Sequence, residues 1–117
     1  MATAPTEIRQ WQSTHRYART SARKARLVID LIRGQNVNNA QDILRFTNKR
    51  VSKLVVKVLQ AAIASANEQE ADLRTLFVSE ARVDEGPHMR RWRPKDRGRA
   101  HPILKRTSHI VVVVAER

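Results

Sequence analysis

The clearest pattern in the sequence is a run of hydrophobic positions between residues 49 and 68 that repeats with the period of an α-helix. These positions share one face: Val51, Leu54, Val55, Val58, Leu59, Ala62, Ile63 and Ala66. Asn48 is suited to cap the first turn. Lys49, Lys53 and Lys57 recur every four residues on the opposite face, as they also would on a simple solvated helix face. The segment predicts the longest helix of the fold and leaves the role of its lysines open.

Two shorter helices are predicted before it. Ser21 can cap a helix over residues 22–33, and Gly34 stands where a left-handed residue commonly ends one. The second helix is predicted over about residues 38–47. The positions predicted to face inward are Ala25, Val28, Leu31 and Ile32 in the first helix and Ala40, Ile43, Leu44 and Thr47 in the second.

The remaining hydrophobic segments have the period of β-strands. Residues 14–20 are β-permissive, and in residues 73–84 Phe77, Ala81 and Val83 alternate with more polar positions. Residues 107–115 contain five consecutive β-branched side chains, which predicts a central strand covered on both faces. Residues 1–13 show no periodicity and are expected to form a flexible basic N-terminal arm. The whole chain, 1–117, is therefore interpreted as a single domain.

The segment between the last two predicted strands is the least ordinary part of the chain. Residues 86–106 contain three prolines and two glycines and almost no core-forming residue, whereas loops between neighbouring strands usually have about two to five residues. As an extended β-hairpin, each arm of ~9 residues could project ~30 Å. Because a two-stranded hairpin of that length is not stable alone in water, we expect something outside the domain to hold it.

The distribution of charge indicates what that partner is. The net charge is +12 with a pI near 11.5, yet residues 28–85 carry eight basic and eight acidic side chains. The whole excess therefore lies at the two ends, which favours a polyanionic partner. The chain has no cysteine and no apolar run of ~20 residues, and residues 1–7 lack the order of a secretory signal. We expect neither a membrane protein nor a secreted one.

The residue types near the two ends are those that recognise RNA. Arginine outnumbers lysine five to one from residue 86 to 104, and guanidinium groups bind phosphate bidentately and stack on bases. Trp92 adds a stacking surface within this segment. In the first helix Arg23, Lys24 and Arg26 crowd the N-terminal turn, where cations oppose the helix dipole, so a ligand phosphate would favour their placement.

Two other classes of function could use similar residues. His88, His101 and His109 invite a nuclease or metal site, but no two stand four residues apart and only Asp96 lies near them. We therefore predict no enzyme, no metal and no cofactor. A basic β-ribbon could also belong to a DNA-binding architectural protein, which would dimerise and bind duplexes, whereas an RNA-binding monomer would prefer structured RNA.

Three stretches of the chain resemble bacterial-type large-subunit ribosomal protein L22 (the uL22 family). They are Arg-Thr-Ser-Ala-Arg-Lys-Ala-Arg-Leu-Val at 19–28 with Asp-Leu-Ile-Arg-Gly at 30–34, Phe-Thr-Asn-Lys-Arg at 46–50, and Val-Asp-Glu-Gly-Pro at 83–87 with Lys-Arg-Thr-Ser-His-Ile at 105–110. The resemblance covers nearly all of residues 14–117. Three positions depart from the family: Ala22 replaces a frequent proline, Asp96 places an acid near the hairpin tip, and Trp92 is bulkier than the usual aliphatic residue.

The resemblance implies an α+β fold, with a small antiparallel three-stranded sheet, three helices packed on it and a long protruding β-hairpin. It implies a structural constituent of the large ribosomal subunit that binds large-subunit rRNA, aids assembly and lines the polypeptide exit tunnel with its hairpin, near the macrolide site. By carry-over, Met89, Arg90 and Arg91 are expected near the tip. Neighbouring ribosomal proteins and the nascent polypeptide are further expected partners of a protein that is monomeric when free and cytoplasmic or organellar.

The residues predicted to bind rRNA are basic, hydrogen-bonding or stacking side chains in these stretches. They are Arg16, Arg19, Ser21, Arg23, Lys24, Arg26, Lys49, Arg50, Lys53, His88, Met89, Arg90, Arg91, Trp92, Arg93, Lys95, Arg97, Arg99, Lys105, Arg106 and His109.

Overall fold

A three-stranded antiparallel sheet carries the helices, and a separate two-stranded hairpin extends from it. The computed structural model describes residues 8–95 and 98–116, with the backbone alone at 95 and 99–102. The elements it describes are, in chain order, β1 (Gln10–Ala18), α1 (Ala22–Ile32), α2 (Val37–Phe46), α3 (Arg50–Glu68), β2 (Leu76–Glu85), β3 (Met89–Lys95), β4 (Arg99–Lys105) and β5 (Ser108–Glu116). The α+β prediction is confirmed.

Strand β5 is the centre of the larger sheet, as its β-branched run predicts. The strand order is β1-β5-β2, and both pairings are antiparallel. Ile110, Val112 and Val114 are fully buried in the main hydrophobic core. Val111 and Val113 are buried on the other face, and the register places the long side chains of Gln12 and Arg82 beside them. The strand is therefore covered on both sides, by core residues on one and mainly by polar neighbours on the other.

Helix α1 has the N-terminus that the sequence predicts. The hydroxyl oxygen of Ser21 accepts a hydrogen bond of 3.3 Å from the backbone N–H of Lys24, and Gly34 follows the helix with φ of +80°. The predicted inner face is partly wrong, because Leu31 is 47% exposed while Ile29 is fully buried. The burial of Ala22, Ala25, Ile29 and Ile32 shows that the buried stripe follows three- and four-residue spacings that exclude position 31.

Helix α3 buries the predicted stripe, with Leu54 and Ile63 at its half-buried margin. Its N-terminus differs from the prediction: the N-cap residue is Lys49 rather than Asn48, and the side chain of Lys49 makes no cap hydrogen bond. The hydroxyl of Ser52 instead donates to the carbonyl oxygens of Thr47 and Lys49. The side chain of Ser52 therefore fixes the connection between α2 and α3 through hydrogen bonds to its backbone.

The structure corrects the predicted N-terminal arm. Strand β1 begins at Gln10, so residues 10–13 belong to the sheet, whereas residues 1–7 of the predicted arm lie outside the described residues. Trp11 is only 7% exposed and lies opposite Val114. Pairing with β5 satisfies the backbone hydrogen-bonding groups of residues 10–13. The sequence alone does not reveal this strand, because polar side chains occupy the outward positions on either side of the tryptophan.

Strand β2 contains an irregularity that the sequence pattern does not predict. Its register with β5 shifts between Val78 and Glu80, which identifies a β-bulge. The buried residues are Leu76, Val78, Ala81 and Val83, while Phe77 is half-buried. The extra residue exchanges the two faces, so a strict two-residue alternation read back from Val83 assigns Phe77 to the wrong side.

Strands β3 and β4 form the predicted hairpin as a two-stranded antiparallel sheet of their own. They extend β2 and β5 away from the helices, and the molecule measures 76 × 33 × 23 Å along its principal axes. Within residues 8–95 and 98–116, no helix combines the length and apolar character needed to cross a membrane.

Candidate nucleic-acid interface

The first arm of the hairpin presents cations on both of its faces. Arg90, Arg91, Trp92 and Arg93 are all exposed, and Trp92 retains 67% of its accessible surface. Because side chains alternate along a strand, Arg91 and Arg93 lie on one face and Arg90 and Trp92 on the other. The arm can therefore meet phosphates from two sides and a base from one.

The register of the hairpin corrects the expected position of Met89, Arg90 and Arg91. Met89 lies opposite Lys105 at the base, and the last pair before the turn is Lys95 with Arg99. Gly98, with φ of +73°, supplies the left-handed residue of the turn. Residues 89–91 are therefore at the base of the hairpin rather than near its tip. Of the predicted tip residues, Lys95 and Arg99 are described by their backbone alone, and Arg97 lies outside the described residues.

The base of the hairpin is closed by a tight contact between its two sides. The backbone N–H of Gly86 donates to the carbonyl oxygen of Thr107 at 2.9 Å, and the hydroxyl of Thr107 donates to the carbonyl oxygen of Pro87 at 2.7 Å. A Cβ atom at Gly86 would lie 2.5 Å from the Thr107 Oγ1. This close approach requires glycine and fixes the position at which the hairpin leaves the sheet.

The first turn of α1 meets both arms at this base. A cavity of about 200 Å³ is lined by Arg23 from the helix, His88 before β3 and Arg106 after β4, together with the carboxylate of Glu85. The basic groups of α1 and of the hairpin therefore adjoin. The exposed members of this surface, which we call the basic ridge, are Arg16, Arg19, Arg23, Lys24, His88, Arg90, Arg91, Arg93, Lys105 and Arg106.

An aromatic pair that the sequence analysis did not identify lies beside the ridge. Tyr17 has φ of +57°, and its backbone N–H donates to Nδ1 of His109 at 3.1 Å. The two rings meet edge to face at 5.0 Å between centroids, and Tyr17 is 61% exposed. Since Nδ1 accepts this bond, a neutral His109 carries its proton on Nε2. The sequence analysis named His109 as an rRNA-binding residue but not Tyr17, whose signal is its isolated position between Arg16 and Arg19.

Two predicted site residues have contacts inside the protein. Nε and Nη2 of Arg26 donate to the carbonyl oxygen of Val83 at 3.2 and 3.0 Å, so two of its three nitrogens hold α1 against β2. Arg33 makes the equivalent contact with the carbonyl oxygen of Ala81 at 3.2 and 2.7 Å. Ser21 caps α1, as described above. Arg26 thus has an architectural contact in addition to its predicted role in rRNA binding, and Ser21 has the capping role that its position before α1 predicted.

Lys49, Arg50 and Lys53 lie elsewhere, at the start of α3, and all three are exposed. Lys49 and Lys53, together with the end of α2, border an open groove beside Phe46, which is 81% exposed. These residues belong to a second cationic surface formed by different elements from those of the basic ridge.

The ridge differs electrostatically from the rest of the surface. Arg82 is paired with Glu80 and Asp84, and its hydrogen bond to Glu80 is the main cause that raises the pKa of its guanidinium. Arg33 is paired with Asp30 at 2.8 Å. Within the described part of the chain, no side chain of the ridge forms an ion pair with a carboxylate. Residues 8–95 and 98–116 also contain no cluster of histidine and carboxylate side chains able to hold a metal.

These features define a class: a small α+β protein whose unpaired cations lie on a projecting hairpin and on the helix turn at its base. Residues 13–115 match the family of ribosomal protein L22p/L17e, and the chain belongs to that family. It is therefore a structural, RNA-binding protein of the large ribosomal subunit and takes part in translation.

Proposed function

We propose that the chain acts as a single domain that binds large-subunit rRNA through the basic ridge. The observation that carries this proposal is the meeting of Arg23, His88 and Arg106 at the base of the hairpin, which joins the cations of α1 to those of both arms. A surface of this kind can neutralise phosphates from RNA segments that converge on it. Its role is architectural, because it brings RNA segments together during assembly.

The hairpin is proposed to become ordered within the RNA and to line the polypeptide exit tunnel. Its described side chains from Arg90 to Arg93 are exposed, so little of its surface is buried against the protein itself. RNA packed around the arms would supply the missing contacts, and the region near the turn would then face the nascent polypeptide. Neighbouring ribosomal proteins complete the proposed environment of a chain that is monomeric before assembly, in a cytoplasmic or organellar ribosome.

Salt-dependent binding tests the proposal. The affinity of the chain for a large-subunit rRNA fragment should fall with salt at a slope of roughly −0.7 to −0.9 for each phosphate neutralised. Replacing Arg90, Arg91 and Arg93 by Gln should flatten the slope by about 2 to 3 if each contacts a phosphate. Arg82→Gln is the matched control, since this guanidinium is already paired with carboxylates.

The same measurement decides between RNA and DNA. An rRNA-binding protein should prefer the folded fragment to a DNA duplex of equal charge, and it should remain monomeric when bound. Equal affinity for the duplex, or dimerisation on it, would favour a DNA-binding architectural protein. An unchanged salt slope in the triple variant would show that the hairpin does not bind phosphate.

A further inference from the structure

The groove between the end of α2 and the start of α3, which we call the α2–α3 groove, is a concave surface of the described part of the chain. Its volume is about 590 Å³ and it is open to solvent, within the range of about 300 to 1,000 Å³ that is usual for ligand sites. None of the basic ridge residues lines it. The groove is therefore a surface separate from the basic ridge.

An exposed aromatic ring stands at this groove. Phe46 is 81% exposed, more than any other large hydrophobic residue that the structure describes. It is the last residue of α2, and it lies on a different face of that helix from the buried residues Val37, Ala40 and Leu44. Because the ring is so exposed, it does not stabilise the core, and it is available to contact a binding partner.

The backbone beside Phe46 is fixed by hydrogen bonds. The N–H of Thr47 donates to the carbonyl oxygen of Leu44 at 3.3 Å, and its hydroxyl donates to that of Ile43 at 2.6 Å. Ser52, which is 5% exposed, donates to the carbonyl oxygen of Thr47 at 3.2 Å. The ring is therefore presented from a rigid turn, and little conformational entropy remains to be lost when a partner covers it.

Cations surround the ring on the groove surface. Arg45, Lys49, Lys53 and Lys57 all line the groove, and its described lining contains no carboxylate. Lys53 and Lys57 lie four residues apart on α3, a step of ~6 Å along the helix, and the N-cap residue Lys49 precedes them at the same sequence spacing. An aromatic face beside a row of cations suits a ligand that has both flat apolar surfaces and regularly spaced anions.

We infer that an unpaired base of single-stranded RNA stacks on Phe46 while its neighbouring phosphates lie along Lys49, Lys53 and Lys57. The inference rests on the proposed RNA-binding function. It makes the α2–α3 groove a second RNA-binding surface, with Phe46 as a binding residue and single-stranded RNA as the ligand. The face of a base is available for such stacking only where the RNA is not a continuous duplex. A protein segment would offer the ring an apolar partner but would have to bring its own carboxylates to match the lysines.

Two oligomers that share phosphates and differ in bases test the inference. The affinity of the intact chain is measured for labelled decauridylate and for a ten-residue abasic ribose-phosphate chain. Phe46→Ala should weaken decauridylate binding about 5-fold or more and change binding of the abasic chain less than about 2-fold, because only stacking is lost. Phe46→Trp should retain the affinity of the native chain, and nuclear Overhauser effects should join the Phe46 ring protons to uridine H5 and H6.

The controls separate the possible failures. Leu27→Ala removes a 64% exposed apolar side chain outside the groove and should leave both affinities unchanged. Since Phe46 is exposed, Phe46→Ala should melt at the same temperature as the native chain. Equal losses on both oligomers would overturn the inference by showing that the ring only shapes the lysine row. Unchanged affinities would overturn it in favour of a protein occupant. Failure of the native chain to bind decauridylate would overturn the inference, and only failure to bind the folded rRNA fragment as well would refute the proposed RNA-binding function itself.

Discussion

Gly86 and Thr107 approach each other so closely at the base of the hairpin that a single methyl group at residue 86 would collide with the threonine hydroxyl. The Cβ of an alanine there would lie 2.5 Å from Oγ1 of Thr107 and 3.2 Å from its carbonyl carbon and oxygen. The same threonine accepts the Gly86 N–H and donates to Pro87. The contact therefore determines both the stability of this junction and the direction in which the arms leave the sheet.

Gly86→Ala should destabilise the free protein by about 1 to 3 kcal/mol, the usual range for forcing an extra group into a packed site. Urea denaturation measures the change. In a Thr107→Ala background the colliding oxygen is gone, so the same substitution should be tolerated better, and a double-mutant cycle gives the coupling. The same loss of stability in both backgrounds would show that the collision is not the cause.

Arg23 and Arg26, which occupy the first half of the same helix, should separate binding from folding. Arg26→Gln should lower the free energy of unfolding by about 1 to 2 kcal/mol, because its two hydrogen bonds to the carbonyl oxygen of Val83 hold α1 on β2. Arg23→Gln should leave stability within about 0.5 kcal/mol and weaken binding to an rRNA fragment. Thermal melts and binding isotherms of both variants check this, and the reverse pattern would contradict the assigned roles.

The free protein should have a mobile hairpin on a rigid domain. The exposed arms contact each other, whereas all of β5 except His109 and Glu116 is buried. Backbone order parameters should be near 0.85 in β5 and below about 0.6 at residues 90–93, and they should rise when an rRNA fragment is added. Rigid arms in the absence of RNA would mean that the hairpin needs no outside support.

Shortening the hairpin should affect the tunnel more than the assembly of the subunit. A variant that joins Arg91 to Ile103, a register pair, through an Asn-Gly turn keeps the base of the basic ridge and removes the outer part. Large subunits should still form, while macrolide sensitivity or stalling by nascent peptides should change. Sucrose gradients and susceptibility tests measure both effects. A block in assembly as severe as that caused by losing Arg23 and Lys24 would contradict this division.

Periodicity was sufficient to predict most of the fold. The long helix and the central strand each bury a face that the sequence repeats without interruption, so their identification is confirmed. The failures occur where pairing overrides pattern: β1 gains residues 10–13 because β5 offers them hydrogen bonds, and the bulge in β2 exchanges its faces. Neither event depends on a local preference that the sequence displays.

The sequence predicted the types of residue in the candidate site better than it predicted their positions in the fold. The length of the segment between two predicted strands, with its prolines and glycines, located the hairpin, but the register that moves Met89 to its base depends on the pairing of the two arms and on the turn at Gly98. Arg26 looked like its cationic neighbours, and only the packing of α1 on β2 shows that it binds a carbonyl group. Phe46 is not among the positions predicted to face inward in the second helix, and nothing else in the sequence indicated its exposure.

Association with the large subunit in cells tests the central claim most directly. A tagged chain is expressed and its position in a sucrose gradient compared with that of a variant in which Arg23, Lys24 and Arg106, at the meeting point of helix and hairpin, are replaced by Gln. The native chain and the Arg82→Gln control should sediment with large subunits, and the triple variant should be depleted there in favour of free protein and immature particles. Full incorporation of a correctly folded triple variant would contradict the claim that the basic ridge is the surface that binds rRNA.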